Sequence, residues 1–340
     1  MSKRKVIIDH RTFSYIGPAS KIFECLEYFH ENNYEVKLIK KDWKLYTPGL
    51  NFSSANPDEH LNDILDNLIL PTFKNVDLIK PKKNNLLRKI EPYIFPLIKR
   101  DYLINFDFSK AFLEKESLKL FFSEQKEKLL LNKNLKNFLK YFFFIIYFYL
   151  SAKKNIKSKG FRYKLNSHVN TERVASFIKK HKKPGVKKIL ISVSWDESLK
   201  FESHNDRTIA GPRFKKNHDE EFENLKKFIS DLDQYALETK KIEFILASKK
   251  AVDWEKFLKS DFIDLRNFEE QGFTLSQSIY IAQELTDVSI NWPSTYSIWI
   301  TNCKNILHLT WLDNKDTAKW ARNNYQKKSA NSLLKTLNLI

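Results

Sequence analysis

Glycine and cysteine are both scarce: the 340-residue chain has six glycines and two cysteines, Cys25 and Cys303. So few glycines leave no G-x-G-x-x-G turn and no Walker loop, which disfavours dinucleotide dehydrogenases and P-loop enzymes. The two cysteines are far apart and in no redox or metal spacing, so a disulfide framework and a zinc cluster are excluded, and a reducing cytosol is the expected compartment. The eight histidines are scattered, with no HExxH pair. Neither a GxSxG nor a Cys-His signature points to covalent catalysis, and no DxD pair offers to hold a divalent ion. No metal and no cofactor are therefore expected. The N-terminal MSKRKVIIDH runs directly into a strand-like stretch without the apolar region or cleavage site of a secretory signal.

What is present is an ample core composition, 42% hydrophobic and 14% aromatic, in a chain long enough for two domains. The net charge is +18. It is regional: Lys80 to Lys164 carry 21 Lys or Arg against 7 Asp or Glu, an excess of 14 that leaves only 4 for the rest of the chain. Within this segment Leu131, Leu135, Phe138, Leu139 and Phe142 fall at helical spacing with Lys133, Lys136 and Lys140 between them. The run YFFFIIYFYL, Tyr141 to Leu150, is about half the ~20 residues a membrane-spanning helix needs. Residues 131–164 thus read either as a helix buried in the protein or as a peripheral contact with an anionic membrane face. Nucleic acid is the weaker partner, because no recognised binding signature accompanies the charge.

From Val186 onward strands and helices alternate. Strand-like KKILISVSW (187–195) precedes helix-like HDEEFENLKKFISDLDQYAL (218–237). Strand-like KIEFILAS (241–248) precedes helix-like VDWEKFLK (252–259). A short strand near 262–265, the helix of TLSQSIYIAQEL, strand DVSIN, a helix from Ser294 and strand NILHLTW (305–311) complete the series. This pattern predicts an α/β fold with a parallel sheet, Rossmann-like in its second half. Thr274 and Gln277 have the spacing of a capping box. In the first half, KVIID (5–9), ASKIFECLEYFHEN and YEVKLIK (34–40) predict one βαβ unit. The Lys-rich stretch 181–186, with Pro184-Gly185, reads as a domain boundary. The expected division is 1–183 with a helical basic insertion at about 80–164, then 184–315, then a C-terminal segment 316–340.

In an open parallel sheet ligands bind beyond the carboxyl ends of the strands. Four places qualify. At Asn291-Trp292-Pro293-Ser294-Thr295 a strand gives way to a helix whose free N–H groups suit a phosphate, or whose Ser294 only caps its own helix. After ISVSW, the connection 196–217 is far longer than the usual 2–6 residues and carries Arg207, Arg213, Lys215 and Lys216, the residue types that grip a diphosphate. It also reads as solvated surface charge. Asp9 and His10 end the first strand, where either is placed to act as general base toward a hydroxyl or to satisfy loop N–H groups. Asp313 and Asp316 follow the last strand as candidate acceptors from a sugar hydroxyl.

The residues 213–217 with HDEEFENLKKFI, KIEFILAS, TLSQSIYIAQELTDVSIN and WPSTYSIWI together resemble the C-terminal half of GT-B glycosyltransferases, in particular bacterial members linked to surface-polysaccharide synthesis. The likeness spans 187–325, with an echo in 5–40. It implies two Rossmann-like domains facing a cleft, with a nucleotide-sugar donor on the C-terminal side and a lipid-linked or polysaccharide acceptor on the N-terminal side. It also implies that 316–340 crosses back to the first domain. The family's glycine-containing donor turn stands here as Asn291–Thr295 without glycine, so Trp292 is expected to stack on a base or sugar. The expected activity is metal-independent sugar transfer in the cytoplasm or at the inner membrane face. A nucleotide-sugar epimerase of the same architecture and a non-catalytic scaffold binding membrane or nucleic acid are the alternatives.

Overall fold

A computed structural model describes residues 5–9, 26, 29–39, 63–73, 76–79, 102–104, 164–167, 169, 171–192, 218–247, 254–291, 296, 299–300, 303, 306–310, 324–325 and 329–340. The chain divides into two compact units, 1–160 and 161–340. The fold is α/β, and both sheets consist of parallel strands.

In the first unit β1 (Lys5–Asp9), β2 (Glu35–Ile39), β3 (Val76–Ile79) and β4 (Tyr102–Ile104) form a sheet in the order β3-β2-β1-β4. The predicted βαβ unit is present, and its sheet continues on both sides. Asp9 pairs with Ile39 on one side and Ile104 on the other. The helix before β2 ends where Asn33 takes the left-handed conformation (φ 56°), and the Tyr34 amide bonds the Phe29 carbonyl at 2.9 Å. Val6, Val36 and Leu38 of the sheet are buried, as are Leu26 and Phe29 of this helix and Ile64, Leu65, Leu68 and Ile69 of a second helical segment.

The second unit has β5 (Lys187–Ser192), β6 (Ile242–Ala247), β7 (Phe262–Asp264), β8 (Val288–Asn291), β9 (Leu307–Thr310) and β10 (Asn324–Tyr325) in the order β10-β9-β8-β5-β6-β7. This is the doubly wound order, with the reversal between β5 and β8. The α-helices whose bounds fall among the described residues are α1 (Glu172–His181), α2 (His218–Thr239), α3 (Leu275–Leu285) and α4 (Ala330–Thr336). One core joins Ile189, Ile191, Phe244, Leu246, Val288, Ile290 and Leu309 of the sheet to Phe222, Leu225, Ile229 and Leu232 of α2 and Leu333 and Leu334 of α4. Right-handed crossovers then put α3, with buried Ile279, Ile281 and Ala282, on the opposite face.

Local chemistry accounts for the helix starts. The Thr171 hydroxyl accepts from the Val174 amide and caps α1. The expected capping box opens α3: the Gln277 amide bonds Thr274 Oγ1 at 3.4 Å, and the Thr274 amide bonds Gln277 Oε1 at 2.9 Å. One departure from the sequence reading stands out. The described part of the stretch 252–259 is not an α-helix but one 3-10 turn, Trp254–Lys256, after which Leu258 is buried with Trp254 and the Asp233 carboxylate takes the Lys259 and Ser260 amides. The helix α1 is part of the second unit, where Phe177 packs edge-on against Phe273 and Arg173 bonds the Gln271 carbonyl. The described helix of the C-terminal segment, α4, lies on α2 of the same unit, and the Tyr235 hydroxyl bonds the Leu339 carbonyl at 2.9 Å.

Candidate functional site

At the reversal of the second sheet, Ser192 ends β5 and Asn291 ends β8, and the two are Cα partners. Adjacent strands lie about 4.8 Å apart, so the connection carrying residues 196–217 and the one carrying 292–295 set out from neighbouring strand ends. Asn291 also pairs with Thr310, the end of β9. Forward connections diverge at this point, β5 leading to β6 on one side and β8 to β9 on the other, the topology at which α/β folds place their ligands. In the first unit Asp9 occupies the equivalent position, at the end of β1 where the order turns from β2 to β4. The strand-end rule thus puts Asn291 and Asp9 each at the reversal point of its own sheet. His10, Arg207, Arg213, Lys215, Lys216, Trp292, Ser294 and Thr295 lie outside the described residues, as do Asp313, Asp316 and the segment 131–163.

The helix after the 292–295 connection is described at Tyr296, Trp299 and Ile300, all buried. Tyr296, and Cys303 farther along the chain, both make polar contacts with α3. The Tyr296 hydroxyl donates to the Ser278 carbonyl of α3 at 3.0 Å and stands 3.1 Å from Ser278 Oγ, which can donate back to it. Burial pushes the Tyr296 phenol above its ordinary pKa, against the Ser278 bond, so it stays neutral. The Cys303 thiol donates to Gln283 Oε1 at 3.3 Å, and His308 Nε2 lies 3.2 Å from the Cys303 carbonyl. A carbonyl only accepts, so Nε2 carries the proton; Nδ1 is buried and finds no partner among the described residues. Burial lowers the His308 pKa to about 4, against the Cys303 bond.

A second polar group at the carboxyl edge was not apparent from sequence. Asp264, the last residue of β7, accepts from the Arg266 amide at 2.8 Å, its Nε at 2.9 Å and its Nη2 at 2.7 Å. Glu255 of the 3-10 turn takes the other side of the guanidinium, with Nη1 at 3.1 Å and a further bond from Nη2. The Asp264 bond is the main reason the Arg266 pKa is raised, and this cation is committed to two carboxylates. The only sequence signal was Asp264 and Arg266 two residues apart at a strand end. An open groove between α1 and α3, lined by Ala175, Ile178, Lys179, Lys182, Tyr280 and Glu284, lies on the outer face of the helices. Among the described residues no three His, Cys, Asp or Glu come together as a metal centre, and no helix is long and apolar enough to cross a membrane.

No protein-family model and no curated protein matches the chain. Its course is similar to that of solved structures. The UDP-GlcNAc 2-epimerase from Methanocaldococcus jannaschii aligns over 99% of this chain and 92% of its own, with 10% identity and a TM-score of 0.41. The glycosyl transferase family 9 structure from Veillonella parvula DSM 2008 aligns over 99% of this chain and 90% of its own, with 9% identity and a TM-score of 0.43.

Proposed function

We propose that the protein is a metal-independent glycosyltransferase that moves a sugar from a nucleotide-diphosphate sugar to a hydroxyl of a lipid-linked or polysaccharide acceptor. The observation that carries this reading is the pairing of Ser192 with Asn291 at the reversal of a doubly wound sheet. It starts the basic 193–217 connection and the 292–295 turn side by side, where α/β folds bind their ligands. Arg207, Arg213, Lys215 and Lys216, with the amides near Ser294 and Thr295, take up the charge that builds on the departing diphosphate. Trp292 stacks on the base or sugar, and Asn291 bonds the donor. In the reaction the acceptor oxygen bonds to the anomeric carbon, the bond from that carbon to the diphosphate oxygen breaks, and Asp9 or His10 receives the acceptor's proton. The basic segment 131–164 serves as the contact with an anionic membrane surface when the acceptor is lipid-linked.

The deciding experiment is a thermal-shift panel of nucleoside diphosphates and nucleotide sugars, followed by transfer assays with the donor that stabilises the protein. Raised melting temperature with one nucleotide series and acceptor-dependent product support the reading. Sugar isomerisation with donor alone would make the protein an epimerase instead. Silence across the panel, together with binding to anionic vesicles or oligonucleotides, would make it a scaffold.

A further inference from the structure

Four residues, 292 to 295, separate Asn291 from Tyr296. Both ends of this short connection are fixed. Asn291 is held in the sheet between Ser192 and Thr310. Tyr296 is buried, and its hydroxyl meets both the carbonyl and the hydroxyl of Ser278. Ser278 is itself fixed, because its amide bonds the Thr274 carbonyl in the first turn of α3, directly behind the capping box. Farther along the chain the Cys303 thiol also reaches α3, at Gln283. Apolar packing alone is non-directional and tolerates a helix sliding or turning on its neighbour. Two bonds at one phenol oxygen hold Tyr296 in one axial position and one rotation on α3, and the thiol bond adds a tie farther along the chain.

We propose that Tyr296 is a positioning residue: through Ser278 it fixes the far end of the 292–295 connection and so the aim of the groups there that bind the nucleotide diphosphate. The inference rests on the nucleotide-diphosphate reading of the same site. It adds a residue that touches no ligand and a physical reason for a tyrosine at this buried position. A phenylalanine would fill the same volume and pack as well, but would leave the Ser278 carbonyl without this donor.

The test is Tyr296→Phe, with Tyr235→Phe as the matched control. The control also removes one phenol-to-carbonyl bond, that to Leu339 near the end of α2, on the face away from α3. Both variants are expected to melt somewhat below the parent. Only Tyr296→Phe should weaken binding of UDP, or of GDP or CDP if one of these is the nucleotide the parent binds. The expected rise in Kd at 25 °C is roughly five- to tenfold, the weight of one to two ordinary hydrogen bonds. Ser278→Ala, which keeps the carbonyl acceptor and loses only the hydroxyl, should give a smaller rise and serves if Tyr296→Phe does not fold. Unchanged Kd in the Tyr296 and Ser278 variants, beside a parent that binds, overturns the positioning role and leaves the proposed function standing. An equal rise in Tyr235→Phe overturns it too, by showing a general loss of stability. A parent that binds none of these nucleotides overturns both.

Discussion

Ser192 and Asn291 are Cα partners at the ends of two adjacent parallel strands, β5 and β8, whose onward connections lead to opposite sides of the sheet. No interval in the sequence announces this, since the two residues are 99 positions apart. Their pairing means that two stretches that otherwise look unrelated, the basic 196–217 and the Trp-Pro-Ser-Thr of 292–295, follow neighbouring strand ends.

The basic loop gives the first prediction. Arg213→Ala should lower turnover by about 10²- to 10³-fold, the size of loss seen when one group stabilising a developing oxyanion is removed. Circular dichroism and melting temperature should stay close to the parent's. Steady-state transfer assays check it, and turnover near the parent's would remove Arg213 from the mechanism.

The second concerns the buried ion pair at the opposite edge of the sheet. Lys188, only 3% exposed, bonds Glu243 across β5 and β6, and Lys183 reaches the other carboxylate oxygen at 3.2 Å. Burial pushes the Glu243 carboxyl up, and the bonds from Lys188 and Lys183 more than offset this and hold it below its ordinary pKa. Lys188→Met leaves a desolvated carboxylate short of a partner and should cost about 3 kcal/mol. Adding Glu243→Leu should recover most of the loss, because an apolar pair needs no compensation. Urea unfolding of the two single variants and the double variant measures both effects.

Acid sensitivity is the third. His308 titrates near 4 in the folded protein and near 6.5 when unfolded, so the unfolded chain binds a proton first as pH falls. Stability is therefore intact above about 6.5 and declines steadily as pH drops toward 4, by up to about 3 kcal/mol from this group. His181 is shifted the same way by partial burial and adds to the decline. His308→Leu should flatten the curve between pH 6.5 and 4. An unaltered slope in melting temperature against pH would show that His308 is not responsible.

Two glycines give a graded fourth prediction. Gly185 and Gly272 both have positive φ, +75° and +72°. A Cβ at Gly185 meets nothing within 4 Å, whereas one at Gly272 comes 2.5 Å from Arg173 Nη1. Gly185→Ala should cost about 1 kcal/mol from backbone strain alone. Gly272→Ala should cost more, because Arg173 must also move off the Gln271 carbonyl and the Phe273 ring. Equal melting temperatures for the two variants would contradict the geometry.

Much of the second unit was legible before any coordinates. Its runs of Ile, Leu and Phe at 187–192 and 242–247 are long and apolar enough to read as buried parallel strands, and helical spacing marks α2 and α3 after them. The capping box was legible because it is a contact between residues three apart. The strands Val76–Ile79 and Tyr102–Ile104 were not, because three or four residues cannot show a period. The stretch 252–259 misled because its apolar spacing mimics a helix, while the Asp233 side chain draws the amides of Lys259 and Ser260 out of any continuing helical ladder.

The sequence by itself determined the alternation of strand and helix, the scarcity of glycine that rules out familiar phosphate loops, and the strand ends at which Asp9 and Asn291 fall. Local periodicity and capping act over a few residues, so they can be read from the chain in order. Only the tertiary structure decided that β5 and β8 are neighbours, that Lys188 and His308 are buried and that Tyr296 is fastened to Ser278. Those facts depend on how strands are shuffled within a sheet and which face each helix covers, and residues far apart in sequence settle them together by burying one shared apolar surface.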